Sequence, residues 1–359
     1  MVEETGATAK NKEFSEHNEI TSSELEDFHD RNDKELELEK SRNYVHADDQ
    51  DDSDIDKDDK VASKFTTPDQ TKTPTKVKYI GKLKRRFPQA IIGGVKKSGT
   101  RALLSFLSRH PLVKSAGSEK HFFDRNETYQ EGLDWYLDEM PESYENEMTI
   151  EKTPGYYVKP YVPKRIYEFS KTVKLIFIFR EPVERAVSDY AQALANEKNV
   201  KFEKTVLTKS KPRRVNENAS KVSIGLYGKH LLNWLQYFPK MQMHFVNGND
   251  FIKNPVPIII EVQKFLGLPI MLKEDNFVYN QTKGFYCTKA TADNLEVKCL
   301  GDTKGRPHPY VKPSTLEKLK EFYKPHNEMF FKLIGKDFGW ATTKFDPSAT
   351  DDNDDGDEL

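Results

Sequence analysis

The chain has 359 residues, 32% of them charged, and a formal net charge of −2. This length is sufficient for one large α/β domain or two small ones. The two cysteines, Cys287 and Cys299, are too few for a structural zinc site, which usually takes four ligands. No apolar run near the N-terminus has the length expected of a signal peptide or a membrane anchor.

The small net charge conceals a strong asymmetry along the chain. Residues 1–77 contain 22 acidic and 11 basic residues, and residues 346–359 contain seven acidic residues and no basic one. Residues 78–345 therefore carry a formal charge of about +16. This excess predicts a polyanionic partner, such as a nucleic acid, a phosphate cofactor or an acidic polysaccharide. The alternative is a lysine-rich surface without a specific partner.

Three regions follow from the same pattern. The two acidic ends are predicted to be disordered, because they have too few apolar side chains to offset the entropy lost on folding. The predicted organisation is a disordered N-terminal region with a linker at 1–77, one folded domain at 78–345 and a disordered tail at 346–359.

Within residues 78–345, apolar runs alternate with helical patterns. Residues 89–95 are a short apolar run ending in glycines and predict a buried strand, and residues 100–110 have helical spacing up to Pro111. Residues 173–179 predict a second buried strand, after which Pro182 begins a helix. Further predicted elements are a helix at 227–238, a strand at 243–246 and a helix at 257–266. The pattern predicts an α/β fold, with a central parallel sheet and helices on both faces.

The first strand–loop–helix unit has the features of an anion site. Gly94 and Gly99 are separated by four residues and followed by Thr100, which approximates a phosphate loop. Loop amides and the N-terminus of the next helix would face the anion. Nucleotide triphosphatases require a lysine directly after the second glycine, whereas Lys96 and Lys97 precede it here. The loop therefore predicts a phosphate or sulfate site that is not of the triphosphatase type, and the alternative is a basic turn without a ligand.

A second anion grip is predicted at the end of the second strand. Arg180 stands at the carboxyl end of that strand, where ligands bind open α/β sheets. Ser188 follows about two helical turns later and can approach the same side. A guanidinium group with a hydroxyl can bind phosphate. The alternative is an ion pair between Arg180 and Glu184.

These segments together resemble the heparan sulfate glucosamine 3-O-sulfotransferases, across residues 88–345. The matching stretches are 94–104, 119–124, 151–154, 180–185, 188–192, 283–287 and 299–309. The phosphate loop and the Arg180–Ser188 grip are shared by many sulfotransferases, whereas segments 119–124 and 299–309 are more specific. The resemblance implies a P-loop-like sulfotransferase fold and 3'-phosphoadenylyl sulfate as the donor, with no metal required.

The resemblance also implies a donor site and a catalytic group. The implied catalytic residues are Glu119 as the general base, with Lys96, Lys97 and His121. The implied donor-binding residues are Lys97, Ser98, Gly99, Thr100 and Arg101 for the 5'-phosphosulfate, Arg180 and Ser188 for the 3'-phosphate, and Tyr286, Lys304, Gly305, Arg306, Pro307 and His308. Ser98 stands where the family commonly has glycine, so its backbone geometry must suit serine.

The implied acceptor is heparan sulfate or a related acidic polysaccharide, which accounts for the basic core. The implied acceptor-binding residues are Glu119, Lys120, His121, Phe122, Phe123, Asp124, Arg125, Lys152, Thr153, Pro154, Gly155, Gln192, Ala219 and Ser220. Some family members have a tryptophan that contacts the acceptor at the position of Ala219. The fine acceptor specificity is therefore left open.

The spacing of Cys287 and Cys299 is compatible with a small disulfide-closed loop or with two free thiols. The resemblance implies that they form a disulfide, and it implies the Golgi lumen as the compartment. Sequons at Asn126, Asn218 and Asn280 favour the lumen, whereas the missing N-terminal apolar run argues against it.

Three other functions compete with this one. A sulfotransferase could act on another hydroxyl, an amino group or protein tyrosine with the same donor site. A P-loop kinase is disfavoured because the lysine after Gly99 and a clear metal-binding acid are missing. A non-catalytic polyanion-binding module is disfavoured because Glu119, Lys97, Arg180 and Ser188 are all present. No zinc-finger or RRM-type motif predicts a nucleic-acid partner.

Overall fold

The computed structural model describes residues 77–196, 200–289, 297–301 and 309–342. The acidic ends that were predicted to be disordered lie outside these residues, apart from Val77. The predicted donor-binding residues Lys304, Gly305, Arg306, Pro307 and His308 also lie outside them.

Five strands form a central sheet in which every pairing is parallel. In spatial order they are β3 (Val113–Ser115), β5 (Met148–Lys152), β2 (Ala90–Gly94), β6 (Lys174–Phe179) and β7 (Met243–Asn247). Parallel strands need crossover connections, and helices supply them. The carboxyl ends of β2, β5 and β6 therefore meet at one edge of the sheet, where the loops that follow them lie side by side.

The helices of the described residues are short on average, with one exception of 22 residues at the C-terminal end. They are α1 (Thr100–Leu107), α2 (Asn126–Gln130), α3 (Gly132–Asp138), α4 (Val162–Phe169), α5 (Pro182–Ala195), α6 (Phe202–Val206), α7 (Ser220–Ser223), α8 (Tyr227–Leu235), α9 (Gly248–Lys253), α10 (Pro255–Leu266) and α11 (Pro313–Ile334). Single 3₁₀ turns occur at Tyr156–Val158, Lys240–Gln242, Glu274–Asn276 and Trp340–Thr342.

Both faces of the sheet are covered by helices, as the sequence predicted. On one face, a continuous apolar cluster joins Ile92 and Ile178 of the sheet to residues of α1 and α10. On the other face, Phe177 packs edge-on against Trp234 of α8, and Phe179 packs against Phe330 of α11. Each fully buried aliphatic or aromatic side chain of this kind contributes about 1.5–3 kcal/mol relative to an exposed one.

Two small antiparallel sheets flank the central one. β1 (Lys84–Arg85) pairs with β4 (Glu142–Ser143), and β9 (Phe285–Lys289) lies between β8 (Phe277–Asn280) and β10 (Val297–Lys298).

Cys287 of β9 is disulfide-bonded to Cys299, which follows β10 directly. The disulfide implied by the family resemblance is therefore confirmed. The bond closes the loop between β9 and β10, and Arg109 Nε donates to Thr288 Oγ1 at 3.1 Å, which links this sheet to the residues just beyond α1.

The predicted strands and helices are present, with ends that shift by up to a few residues. The helix predicted at 100–110 ends at Leu107, and the helix predicted at 227–238 ends at Leu235. Two strands of the central sheet, β3 and β5, were not predicted, nor was α11. None of the helices in the described part of the chain combines the length and the apolar character that crossing a membrane requires.

Candidate functional site

The loop between β2 and α1 has a conformation that few side chains adopt readily. Val95 N donates to Ile178 O of the neighbouring strand at 2.9 Å, and Ser98 N donates back to Val95 O at 3.1 Å, which closes a tight turn. Gly99 has a φ of 110°, in the region that favours glycine. Lys97 has a φ of 72°, whereas Ser98 is not among the residues with positive φ and so adopts a geometry ordinary for serine.

Two lysines of this loop point toward α5. Lys97 Nζ donates to Gln192 Oε1 at 3.2 Å, and Lys96 Nζ lies 3.0 Å from Asp189 Oδ1. Gln192 was assigned to the acceptor and Lys97 to the donor by resemblance, and the structure brings the two into direct contact. Asp189, in contrast, was not predicted as a site residue.

A buried arginine holds Asp189 in place. Arg185 is fully buried, and it contacts Asp189 Oδ2 through Nη1 at 3.3 Å and the backbone oxygen of Lys221 through Nη2. Burial raises the pKa of Asp189, but the charges of Arg185 and Lys96 outweigh burial and hold that pKa below its ordinary value. Asp189 is therefore an anion that fixes Lys96 beside the loop.

At the second predicted anion site, the structure shows the ion pair that was the alternative to an anionic ligand. Arg180 Nε lies 2.9 Å from Glu184 Oε2, so the side chain forms an ion pair within its own strand–helix unit. Asn249 Nδ2 also donates to Glu184 Oε2, at 3.0 Å, which fixes the carboxylate. Ser188 is partly buried on the same helix, α5. Their predicted contact with a 3'-phosphate remains a prediction.

Four side chains of the predicted acceptor site form one continuous network. Glu119 Oε1 accepts from Lys152 Nζ at 2.5 Å, and Glu119 Oε2 lies 3.4 Å from His121 Nε2. His121 Nδ1 lies 3.1 Å from both carboxylate oxygens of Asp124. Lys152 is only 3% exposed, whereas Glu119 is 37% exposed, so the carboxylate at the centre of the network is the part that solvent reaches. A carboxylate placed in this way can accept a proton from a bound hydroxyl.

The backbone around His121 is held tightly. Its φ is 53°, and its carbonyl oxygen accepts from Thr128 Oγ1 at 2.5 Å. Gly155 lies beside the network, because a Cβ at that position would stand 2.5 Å from Asp124 Oδ2. Gly155 therefore leaves space for the Asp124 carboxylate to contact the imidazole.

Several residues that were predicted to bind the acceptor have other surroundings. Lys120 Nζ is bound to Glu139 Oε2 at 2.8 Å. Phe122 and Phe123 are 1% and 0% exposed and pack in an aromatic cluster with Tyr136, so their side chains do not face solvent. Of the other predicted acceptor residues, Arg125 is exposed before α2, Thr153 and Pro154 are buried after β5, and Ala219 and Ser220 lie at the start of α7. Of the predicted donor residues, Thr100 and Arg101 lie at the start of α1, and Tyr286 packs against Tyr279 of β8.

The sequence reasoning missed a buried residue next to the network. Glu151 of β5 is fully buried and adjacent to Lys152. Its pKa is raised to about 7, mainly by burial and also by the charge of Asp124, while hydrogen bonds from Thr153 and Tyr156 and the charge of Lys152 act in the opposite direction. The signal in the sequence that could have identified Glu151 is the Glu–Lys pair at the end of β5, a strand that has a neighbouring strand on each side in the sheet.

The fold is that of a sulfotransferase, and a comparison with known families agrees. The family model described as Sulfotransferase domain matches residues 87–333. A solved sulfotransferase from Alicyclobacillus acidocaldarius superposes with a TM-score of 0.53 at 21% identity, covering 71% of this chain and 99% of that one. At that identity the superposition supports the fold alone.

Curated relatives are more similar in sequence. The mouse heparan sulfate glucosamine 3-O-sulfotransferase 3A1 is 46% identical over 257 residues, which cover 71% of this chain and 65% of the relative. The human heparan sulfate glucosamine 3-O-sulfotransferase 6 is 45% identical over 258 residues, which cover 72% of this chain and 75% of the relative. The chain belongs to the heparan sulfate glucosamine 3-O-sulfotransferase family. It spans slightly less than two thirds of the mouse 3A1 protein.

Proposed function

We propose that this protein transfers a sulfuryl group from 3'-phosphoadenylyl sulfate to the 3-hydroxyl of glucosamine units in heparan sulfate. Family membership supports the reaction class, since the relatives carry that acceptor and position in their names. The observation that supports the chemistry is the Glu119 carboxylate, which is partly exposed between Lys152 and His121.

The reaction is an in-line displacement at sulfur. A bond forms between the sugar oxygen and sulfur while the bond from sulfur to the 5'-phosphate oxygen breaks, and the leaving group is adenosine 3',5'-bisphosphate. Glu119 accepts the proton of the hydroxyl as the new bond forms. Lys152 and His121 hold the carboxylate toward the acceptor, because each contacts one of its two oxygens.

The donor site that we propose is the loop from Lys97 to Arg101. The loop amides and the N-terminus of α1 would bind the 5'-phosphosulfate. Lys97 would neutralise the charge that develops on the leaving phosphate oxygen, and its position beside α5 is fixed by Gln192. Arg180 and Ser188 would bind the 3'-phosphate. Arg180 would then either release Glu184 or contact Glu184 and the phosphate at the same time.

The decisive experiment compares the protein with a Glu119→Gln variant, using radiolabelled donor and heparan sulfate. Loss of a general base lowers kcat by about 10²–10⁴-fold. Binding of adenosine 3',5'-bisphosphate should remain within about twofold, because Glu119 lies in the acceptor network and not in the phosphate loop. Disaccharide analysis of the product identifies the modified position.

The matched control is Glu127→Gln, which neutralises an exposed carboxylate on the adjacent helix α2. Its kcat should stay at the wild-type level. Absence of label on heparan sulfate with the wild-type protein would contradict the proposed reaction, and equal transfer by the Glu119→Gln variant would contradict the role of Glu119. Label at another position or on a protein would replace the acceptor that we propose.

We also propose residues 78–345 as the catalytic domain and the Golgi lumen as its compartment. The matched family region, 87–333, lies within these bounds, and the Cys287–Cys299 disulfide suits an oxidising compartment. Immunofluorescence with a Golgi marker tests the location, and sulfuryl transfer by a chain limited to 78–345 tests the domain.

A further inference from the structure

A fully buried carboxyl group lies behind the Glu119 network. Glu151 is on β5, and its Oε1 accepts from Thr153 Oγ1 at 2.5 Å and from the hydroxyl of Tyr156 at 3.2 Å. No donor in the described part of the chain reaches its other oxygen, Oε2, within hydrogen-bonding geometry. Glu151 itself contacts neither the phosphate loop nor Glu119 in any hydrogen bond or ion pair of the described residues.

The two hydroxyls that donate to Glu151 also bind the segment from Glu119 to Asp124, which we call the acceptor segment. Thr153 Oγ1 accepts from the backbone amides of Lys120 and His121, at 3.1 and 3.4 Å. The Tyr156 hydroxyl accepts from the amides of Phe122 and Phe123, at 3.1 and 3.4 Å. Four consecutive amides of the segment from Glu119 to Asp124 are therefore held by two hydroxyl oxygens.

Glu151 determines which way these hydroxyls point. A hydroxyl has one proton to donate and two lone pairs to accept with. Because both protons are directed to Glu151 Oε1, the lone pairs of both oxygens are available to the amides. An apolar side chain at position 151 would leave the two protons without this acceptor.

The acceptor segment requires such support because its backbone is not in an ordinary conformation. His121 has a φ of 53°, in the left-handed region that is sterically unfavourable for a residue with a side chain. Conformations of this kind persist where the surrounding structure fixes them. The hydrogen bonds from the amides of Lys120 to Phe123 fix the backbone on both sides of His121.

A carboxyl group is also a costly choice for packing alone. The site is enclosed by aromatic residues, and Tyr136, Tyr156, Phe122 and Phe123 form one cluster there. Burying a carboxyl group in such surroundings is less favourable than burying an apolar side chain of similar size. Packing alone therefore does not explain a carboxyl group at position 151, whereas its hydrogen bonds with Thr153 and Tyr156 do.

We propose that Glu151 is a positioning residue for the sulfuryl transfer described above: through Thr153 and Tyr156 it fixes the backbone that presents Glu119, His121 and Asp124 to the acceptor. This inference rests on the proposed function for its kinetic consequence, and on the geometry alone for its effect on the segment.

The kinetic test compares Glu151→Met with Glu151→Gln. Methionine has a similar length but offers no strong acceptor, so kcat should fall by about 10- to 100-fold, as expected for a small misplacement of catalytic groups. Glutamine keeps an oxygen at the position of Oε1, so its kcat should lie within about threefold of the wild type. Affinity for adenosine 3',5'-bisphosphate should be unchanged in both variants.

The matched control is Glu147→Met. Glu147 is also buried, at 2% exposed, and precedes the same strand, but it accepts from Tyr144 N at 2.7 Å and pairs with Lys114, away from the acceptor segment. This variant should lose stability without losing kcat once folded. If Glu147→Met and Glu151→Met lower kcat equally, or if Glu151→Gln is as impaired as Glu151→Met, the positioning role is wrong.

A third variant keeps the test sharp if Glu151→Met folds poorly. Tyr156→Phe removes one of the two hydroxyls and leaves Glu151 in place, so its kcat should fall while the affinity for adenosine 3',5'-bisphosphate stays unchanged. A wild-type kcat in Tyr156→Phe would contradict the proposal.

Hydrogen exchange separates this inference from the proposed function. The amides of Lys120 to Phe123 should exchange faster in Glu151→Met and not in Glu147→Met, whether or not the wild-type protein transfers sulfuryl groups. Unchanged exchange at these four amides would overturn the inference. Faster exchange in Glu151→Met, together with a wild-type protein that transfers no sulfuryl group, would support the effect of Glu151 on the segment and contradict the proposed function.

Discussion

Lys97 and His121 are the non-glycine residues with positive φ in the described part of the chain. One belongs to the phosphate loop and the other to the acceptor segment. Histidine, like asparagine and aspartate, adopts this conformation more often than other non-glycine residues, whereas lysine does not. The side-chain contacts of Lys97 with Gln192 and of His121 with Asp124 are made from this backbone geometry. Conformational strain and candidate function therefore coincide at single residues.

A comparison of alanine and glycine at position 97 tests this strain. We expect Lys97→Gly to be more stable than Lys97→Ala by roughly 0.5–1 kcal/mol, because glycine reaches a φ of 72° without a steric penalty. Both variants should lose sulfuryl transfer, since both lack Nζ. The measurement is urea denaturation of the purified variants.

Lys96 provides the matched control, because its φ is not positive. There the order should reverse, with Lys96→Ala more stable than Lys96→Gly. The same order at both positions would show that the loop is not strained at Lys97.

A second residue-scale prediction concerns the pH dependence of stability. Burial raises the pKa of Glu151 to about 7 from 4.5, with Asp124 adding to the increase and Lys152 opposing it; Tyr136 and Tyr156 are its other ionisable neighbours. The protonated carboxyl therefore contributes stability that is present at low pH and is lost as the pH rises through about 7.

Glu151→Gln removes this titration. Its free energy of unfolding relative to the wild type should increase between about pH 4.5 and pH 7, by about 3 kcal/mol, and stay level above pH 7, because only the wild type must bury a charge at high pH. Denaturant unfolding at several pH values measures it. Parallel curves for the two proteins would mean that the native pKa of Glu151 is close to that of the unfolded chain.

At the scale of elements, β5, a strand that the sequence did not predict, positions several residues of the candidate site. It ends at Lys152, it buries Glu151, and it leads directly into Thr153 and the 3₁₀ turn that begins at Tyr156. Helix α5 has the corresponding role for the donor loop, because Asp189 and Gln192 on it contact Lys96 and Lys97. The candidate site is therefore assembled between the ends of β2 and β5 and one face of α5.

The disulfide between β9 and the end of β10 permits a test on an element. Replacing Cys287 and Cys299 by alanine should lower the free energy of unfolding by about 2–3 kcal/mol, the value expected for a loop of this size. Denaturation of the double variant and of the wild type measures the difference. A reducing agent should destabilise the wild type and leave the variant unchanged, and equal stability of both proteins would contradict the structural role.

At the scale of the whole molecule, the excess positive charge lies between the two acidic ends of the chain. Residues 78–345 carry a formal charge of about +16, and they include the predicted catalytic domain. Such a domain attracts an acidic polysaccharide over distances comparable with the Debye length.

Salt should therefore act on acceptor binding more than on chemistry. Between roughly 0.05 and 0.5 M salt the Debye length falls about threefold, and we expect KM for heparan sulfate to rise severalfold while kcat stays nearly constant. Steady-state kinetics at several salt concentrations measure both constants. A constant KM would show that the basic surface does not contribute to acceptor binding.

The sequence by itself determined the elements whose signals are local. The strands β2, β6 and β7 were predicted from continuous apolar runs, and the loop from 94 to 101 from its glycines and lysines. The family resemblance added the Cys287–Cys299 disulfide, and it selected Glu119, His121, Asp124 and Lys152, which the structure brings together in one network.

Only the tertiary structure decided the features that depend on neighbours distant in the chain. The polar composition of β5 concealed a strand, because Thr149, Glu151 and Lys152 are buried by residues far from them in sequence. Lys120 pairs with Glu139, 19 residues away in the chain. The sequence left open whether Arg180 pairs with the nearby Glu184 or is free for an anionic ligand, and the structure shows the ion pair. Glu151 acquires a shifted pKa and its contacts through Thr153 and Tyr156 only when the acceptor segment folds over them, since burial and hydrogen bonding are properties of the packed chain.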